Sequence, residues 1–372
     1  MIHSIGADHK RARQASRFDD EPAPLVTRRH LQVLLGLLWL LDGALQLQPY
    51  MFTRGFSAAV IAPTASGQPG WVAAGVGWSA HLIDMHPVLL DALFAGVQLA
   101  LGLGMLLRRT AAWALVASVP WALGVWYLGE GLGGIASGQG NLLTGTPGAV
   151  ILYALVALAA WPSGPLRSSL PTWMPGSLPA SLRGRARSPE AAQGSSTEGG
   201  EALATARPRP AVGWAWAAVW ISGASLSIAG GGFSGHSLSS TFRAAAMSGP
   251  SLLAGSERRL ATMSAAAHGG IGIALVLLEI LVGLTAFAGT RVRFVGASVG
   301  VLLALAFWVF GESIGLVYSG RATDPNSGPL LVLLAIALVG LGSRPLWRGA
   351  HGASRHEAPV RLESRTSVTN AA

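Results

Sequence analysis

The stretch from Trp126 to Pro147 occurs twice in this chain. It reads WYLGEGLGGIASGQGNLLTGTP, and Trp308 to Pro329, 182 residues later and without a gap, reads WVFGESIGLVYSGRATDPNSGP. The identical positions are Trp126/Trp308, Gly129/Gly311, Glu130/Glu312, Gly133/Gly315, Ser137/Ser319, Gly138/Gly320 and Pro147/Pro329. None is an aliphatic residue that an apolar chain matches by chance. The same offset relates His86 to His268 and Arg109 to Arg291; one residue out of register, Trp39 meets Trp220 and Phe52 meets Phe233. The chain is expected to fold as two copies of one unit.

That unit belongs in lipid. Of 372 residues, 51% are hydrophobic and only 12% charged. The charged share is about half that of a soluble domain, too little to cover a surface facing water. Apolar runs predict spans at about Leu31–Leu47, 87–107, 110–129, 146–161, 212–230, 269–289, 294–311 and 329–343. Helices of roughly 20 residues match a hydrocarbon core of about 30 Å. The expected fold is an all-α, polytopic transmembrane bundle of about eight helices. Four helices per copy is an even number, so the two copies enter the membrane in the same direction, as parallel repeats about an axis along the membrane normal.

The polar stretches divide the chain. Residues 1–30 read as a disordered cytoplasmic tail, 31–161 as the first repeat, and 162–211 as a linker rich in Pro, Ser, Gly and Arg. Residues 212–343 read as the second repeat and 344–372 as a second tail. Residues 50–85 are too polar and too rich in Gly and Pro to span, and read as an interfacial loop or shallow amphipathic segment. With the N-terminus inside, 21 of the 26 Lys and Arg fall on the cytoplasmic side and five (Arg54, Arg243, Arg258, Arg259, Arg321) on the other. That bias expects both termini in the cytoplasm of a bacterial cell, in a multi-pass plasma-membrane protein. The basic segments suit anionic lipid headgroups, not nucleic acid.

The candidate chemistry is sparse. There is no cysteine, which excludes disulfides, thiolate metal sites and dithiol redox chemistry. No P-loop, HExxH, GxSxG or Rossmann fingerprint is present. In each repeat a histidine opens the second span and a glutamate closes the third, giving the pairs His86/Glu130 and His268/Glu312. On one helical hairpin such a pair suits a divalent metal, a proton relay or a quinone headgroup. The plainer reading is that both are interfacial anchors. Asp42 lies about eleven residues into the first span, roughly 16 Å deep, and Glu279 is similarly deep in the sixth. Intramembrane carboxyls mark proton or ligand paths by default. Met51, Met85, Met247 and Met263, with His81 and His236, fall in or beside the outer loops, but without the tight spacing of a copper site. If the helix continues past Trp126, then Gly129, Gly133 and Ser137, with Gly311, Gly315 and Ser319, form a small-residue packing face. The alternative is a glycine-rich outer loop over a binding site.

The first span reads Arg29, Gly36, Trp39, Gly43 and Gln46 at spacings of seven, three, four and three. It resembles the first helix of the DoxX/DoxD-like four-helix membrane proteins. The resemblance implies a quinone-linked redox or small-molecule accessory role; it does not extend to Gly223 or to the GExxG stretch. As a whole the chain resembles polytopic membrane proteins of actinobacteria. Three classes stay open on the sequence: a redox or quinone-binding membrane subunit, a transporter or channel, and a structural or assembly protein.

Overall fold

A computed structural model describes residues 26–138, 140–162 and 209–341, which all lie in one compact unit. The two expected tails and the linker fall almost wholly outside the described residues. Those described are helical throughout, with no strand among them.

The helices are α1 (Arg28–Gln46), α2 (Gly70–Met85), α3 (Pro87–Leu106), α4 (Ala111–Leu128) and α5 (Ala149–Ala159) before the linker. After it come α6 (Arg209–Ala229), α7 (Gly235–Ser248), α8 (Ser251–Ala266), α9 (Gly270–Leu284), α10 (Thr290–Phe310) and α11 (Ser327–Gly340). Among the described residues five stretches are long and apolar enough to cross a membrane: α3, α4, Ala211–Ala229 in α6, Gly270–Phe287 and α10. They carry outward-facing Val88, Leu93, Leu281 and Leu302, a surface that lipid solvates and water does not.

Five of the eight expected spans meet that length and apolarity; the helices at the other three expected positions are α1, α5 and α11. Helix α1 has the length, but Asp42 and its glutamines dilute the apolar run. Helices α5 and α11 are only 11 and 14 residues. At about 1.5 Å per residue each is shorter than a bilayer core of about 30 Å, so a crossing there includes the residues flanking the helix. Both helices read as spans because they are uniformly apolar, and they are so because they are buried on all sides, packed against each other. The polar stretch 50–85 is not a loop. It holds a short helical segment at 54–65 and then α2, and its counterpart holds α7 and α8.

Packing order is the same before and after the linker. Helix α1 lies along α3, α3 against α4 and α4 against α5; α6 lies along α9, α9 against α10 and α10 against α11. The central core joins Leu35, Trp39, Leu152 and Val156 to Trp216, Trp220, Leu330 and Leu334. Where α1 crosses α3, Gly36 and Gly102 allow the two backbones to touch. A Cβ on Gly102 would lie 2.7 Å from the Gly36 carbonyl oxygen, and one on Gly43 2.6 Å from Leu99. This is the close-approach geometry of membrane helices, where packing replaces the hydrophobic effect. Arg29 ties the N-terminal end of α1 to the C-terminal end of α3, donating to the carbonyl of Met105 at 2.7 Å and to that of Leu106. Those carbonyls have no helical partner of their own.

Candidate functional site

Helix α4 stops at Leu128, and the chain turns through Gly129 and Glu130 into a tight loop. Gly131, Leu132, Gly133 and Gly134 all have positive φ. The condition for a continued small-residue face is therefore not met in either copy: Ser313, Ile314, Gly315 and Leu316 also have positive φ. Gly133 instead lets the loop lie on its own far end, since a Cβ there would sit 1.9 Å from the Pro147 carbonyl oxygen. Ser137 donates to the Gly134 carbonyl, and Ser319 accepts from the Arg321 amide.

The loop is closed by its two identical ends. The Trp126 indole N–H donates to the Pro147 carbonyl at 2.7 Å, and that of Trp308 to the Pro325 carbonyl at 2.7 Å. Helices α5 and α11 each begin two residues after that proline. Pro147 thus corresponds to Pro325, not to Pro329 as the ungapped alignment has it. The first loop is four residues longer, and the match at Pro329 is accidental.

The repeated glutamates do the same work in both copies. Glu130 Oε1 accepts from the Val150 amide at 3.2 Å, and Glu312 accepts from the Ser327 amide at 3.2 Å and from the Ser327 hydroxyl. Each carboxyl closes the N-terminus of a short buried helix, where amides without helical partners need acceptors. The copies then differ. Both oxygens of Glu312 are engaged, and burial, partly offset by Ser327, raises its pKa to about 7. Glu130 Oε2 has no hydrogen-bond partner. Burial, with the negative charge of Asp324 adding to it, holds Glu130 well above the usual carboxylate range.

Glu130 lines a cavity of about 460 Å³ together with α1, the 56–64 segment, α2, α3 and α4. The size is ordinary for a small-molecule site. Asp42, Gln46 and Gln98 supply its polar wall, joined by Thr323 and Asp324 from the loop after α10. Asp42 is 2% exposed. Asp42 Oδ1, Gln46 Oε1, Gln98 Oε1 and the indole N–H groups of Trp39 and Trp121 have no hydrogen-bond partner. The Tyr153 hydroxyl faces Asp42 without reaching hydrogen-bond geometry. Asp324 is held by Thr323 Oγ1 and the Asn326 amide, each at 2.7 Å, and burial raises it.

A second cavity, of about 420 Å³, is lined by α7 to α10. Seven of its lining residues stand 182 positions after lining residues of the first: Phe242 after Val60, Leu260 after Trp78, Ser264 after Leu82, Leu303 after Trp121, Ala306 after Gly124, Phe307 after Val125 and Phe310 after Leu128. Each cavity also receives a loop from the other side of the linker. Leu143 enters the second as Asp324 enters the first. Around Asp324, Gln48 donates to the Ala322 carbonyl at 3.4 Å and the Arg321 guanidinium lies 4.7 Å from the centre of the Tyr50 ring. The second cavity has no carboxylate; Arg259 is the charged residue on its wall.

The expected His/Glu pairs are not assembled. His86 and His268 are exposed and neither hydrogen-bonds to its glutamate, while Glu130 faces the cavity and Glu312 is buried. The reason is the turn after α4 and α10, which carries each glutamate inward to a helix end. Asp42 and Glu279 are both buried, but they line different spaces: Glu279 faces a small one with Asn141 and Ser227. Among the described residues, no group of three or more His, Asp or Glu is placed to hold a metal ion. Sequence reasoning missed Gln98 and Asp324 as site residues, and also Asp91, which is fully buried with both carboxyl oxygens unpartnered. A carboxylate four residues into an apolar span was a legible signal for Asp91. Nothing local marks Asp324, which reaches the site from the far side of the linker.

No family model, no curated protein and no solved structure matches this chain.

Proposed function

We propose that this is a multi-pass membrane protein of two parallel four-helix repeats, and that the first repeat holds one lipophilic small molecule, its polar head against Asp42 and Glu130. Arginine placement supports a bacterial plasma membrane with both termini in the cytoplasm. Several features support the parallel repeat: the seven cavity positions 182 residues apart, the paired tryptophan–proline hydrogen bonds and the reciprocal loops. In this reading the core fold of a copy is α1, α3, α4 and α5, or α6, α9, α10 and α11.

The observation that carries the ligand is the row of unpartnered polar atoms on an otherwise apolar wall. A buried polar atom is normally hydrogen-bonded, and several unpartnered atoms on residues that line one cavity call for an absent partner. The head group must donate hydrogen bonds, because Asp42 Oδ1 and Glu130 Oε2 are the acidic acceptors. A hydroquinone, which the DoxX-like first helix implies, has that form, and so does a protonated amine. The role is binding, in support of a partner or of transfer across the leaflet, and no catalytic group is assigned.

Gly124 provides the test. It lines the cavity, and a Cβ there meets nothing within 4 Å. Gly124→Leu fills the cavity without displacing a neighbour. Protein purified in mild detergent is extracted and its small molecules identified by mass spectrometry. A lipophilic molecule near one per chain, lost in Gly124→Leu with an unchanged melting temperature, is the expected result. Equal recovery from both proteins removes the cavity from consideration.

A further inference from the structure

The first cavity has two features that its repeat-related counterpart lacks, together with a different aromatic set. It presents three carboxyls, Asp42, Glu130 and Asp324, and its lining contains no basic residue. Trp39, Trp78 and Trp121, with Phe56 and Phe94, supply aromatic rings to the same wall. At the matched positions the second cavity has Leu260 for Trp78 and Leu303 for Trp121, and Gly223 stands in α6 where α1 has Asp42. The carboxyls and the two tryptophans are therefore not part of the duplicated scaffold, whose second cavity carries Phe242, Phe307 and Phe310 where the first has Val60, Val125 and Leu128. They were added to, or kept in, one copy only.

Among the described residues no basic side chain lines the first cavity. Arg321, the nearest arginine in sequence to Asp324, is engaged over Tyr50, and the ion pair of Arg54 with Asp84 is exposed. A buried carboxyl in a membrane protein is costly unless it is paired, protonated or facing a ligand. Aromatic faces attract a cation through the negative face of their π system, most strongly when water is excluded. Resting on the cavity being a ligand site, we infer that its ligand is an organic cation with apolar substituents, its charge held between the Trp39 and Trp121 rings and the carboxyls of Asp42, Glu130 and Asp324. A neutral hydroquinone brings no charge to balance three carboxyls gathered on one wall. With the cavity empty, burial favours the protonated forms of Glu130 and Asp324. An entering cation stabilises the ionised forms and releases protons. The titratable groups facing that space are Asp42, Glu130, Asp324 and the adjacent Tyr153.

The test uses three probes on the full chain in detergent micelles, each measured by equilibrium dialysis against empty micelles: tetraphenylphosphonium, tetraphenylborate of the same shape and opposite charge, and decylubiquinol. The cation is expected to bind saturably and tetraphenylborate not. Asp42→Asn and Glu130→Gln each weaken the cation by at least about tenfold, Gly124→Leu abolishes it, and Glu312→Gln leaves it unchanged. Because Glu130 also closes the start of α5, Asp42→Asn decides if Glu130→Gln fails to fold. Tetraphenylborate or decylubiquinol binding as tightly as the cation, or a cation indifferent to Asp42→Asn, overturns the cation and keeps the cavity. If no probe binds, or Gly124→Leu alters none, the cavity itself is not the site.

Discussion

Leu142 occupies the space that a side chain at Gly223 would fill: its Cγ lies 2.4 Å from where a Cβ would stand. This contact explains why α6 has no counterpart of Asp42. The loop of the first copy plugs the second at the level where the first copy keeps its acid. Gly223→Ala is expected to destabilise the protein by about 1–3 kcal/mol through overpacking. Leu142→Ala should relieve the clash, so the two changes together cost less than their sum. A double-mutant cycle on thermal unfolding in detergent measures that coupling. Strict additivity would mean that the loop does not seat there.

Glu312 gives the stability of the second copy a pH dependence. Its folded pKa of about 7 lies above the ordinary value of 4.5. The folded state therefore binds the proton more tightly than the unfolded chain. Its contribution is fully present below about pH 4.5 and is lost as pH rises towards 7, amounting to about 3 kcal/mol. Glu130 and Asp324 are shifted in the same direction and steepen the decline. Melting temperatures recorded across this range should fall with rising pH, and less so in Glu312→Gln. A wild-type profile that rises with pH would contradict the assignment.

These two cases show what the sequence carried. Long apolar runs sufficed for α3, α4, α9 and α10, since lipid-facing helices announce themselves by hydropathy alone. The repeat singles out Glu130 and Trp126, and in the fold both close the loop onto the start of α5. Helix-capping across a loop leaves no local spacing to read, so Glu130 was paired with an exposed histidine. Register in the loop was misread because Pro329 stands by chance where an ungapped alignment wants Pro147. Helices α7 and α8 escaped notice because they are polar on one side and short. Asp324 was out of reach altogether, because its place depends on a loop crossing between the copies.

Arg29 tests the first helix. Its guanidinium serves the carbonyls of Met105 and Leu106 together, which needs the fork geometry of arginine. Arg29→Ala should cost about 1.5–3 kcal/mol, the range for a charge-assisted hydrogen bond, and Arg29→Lys should recover only part of it. Full rescue by lysine, seen in thermal unfolding, would point to charge alone.

The glycines after α4 separate two descriptions of the opening repeat by the sign of an effect. On a continued helix, replacing Gly133 by alanine would stabilise an exposed position by roughly 0.5–1 kcal/mol, because alanine loses less backbone freedom. In the loop observed here, Gly133 has φ +58° and a Cβ would lie 1.9 Å from the Pro147 carbonyl oxygen. Gly133→Ala must therefore open the loop, separate Trp126 from Pro147 and weaken the start of α5. Gly138 has φ +69° with nothing within 4 Å of a Cβ. Gly138→Ala should cost only the left-handed conformation, about 1–2 kcal/mol. Gly315, at φ +62° and 2.5 Å from the Pro325 carbonyl oxygen, should follow Gly133. The expected order of melting temperatures is wild type above Gly138→Ala, with Gly133→Ala and Gly315→Ala lowest. Stabilisation by any of the three would restore the helical description of that segment.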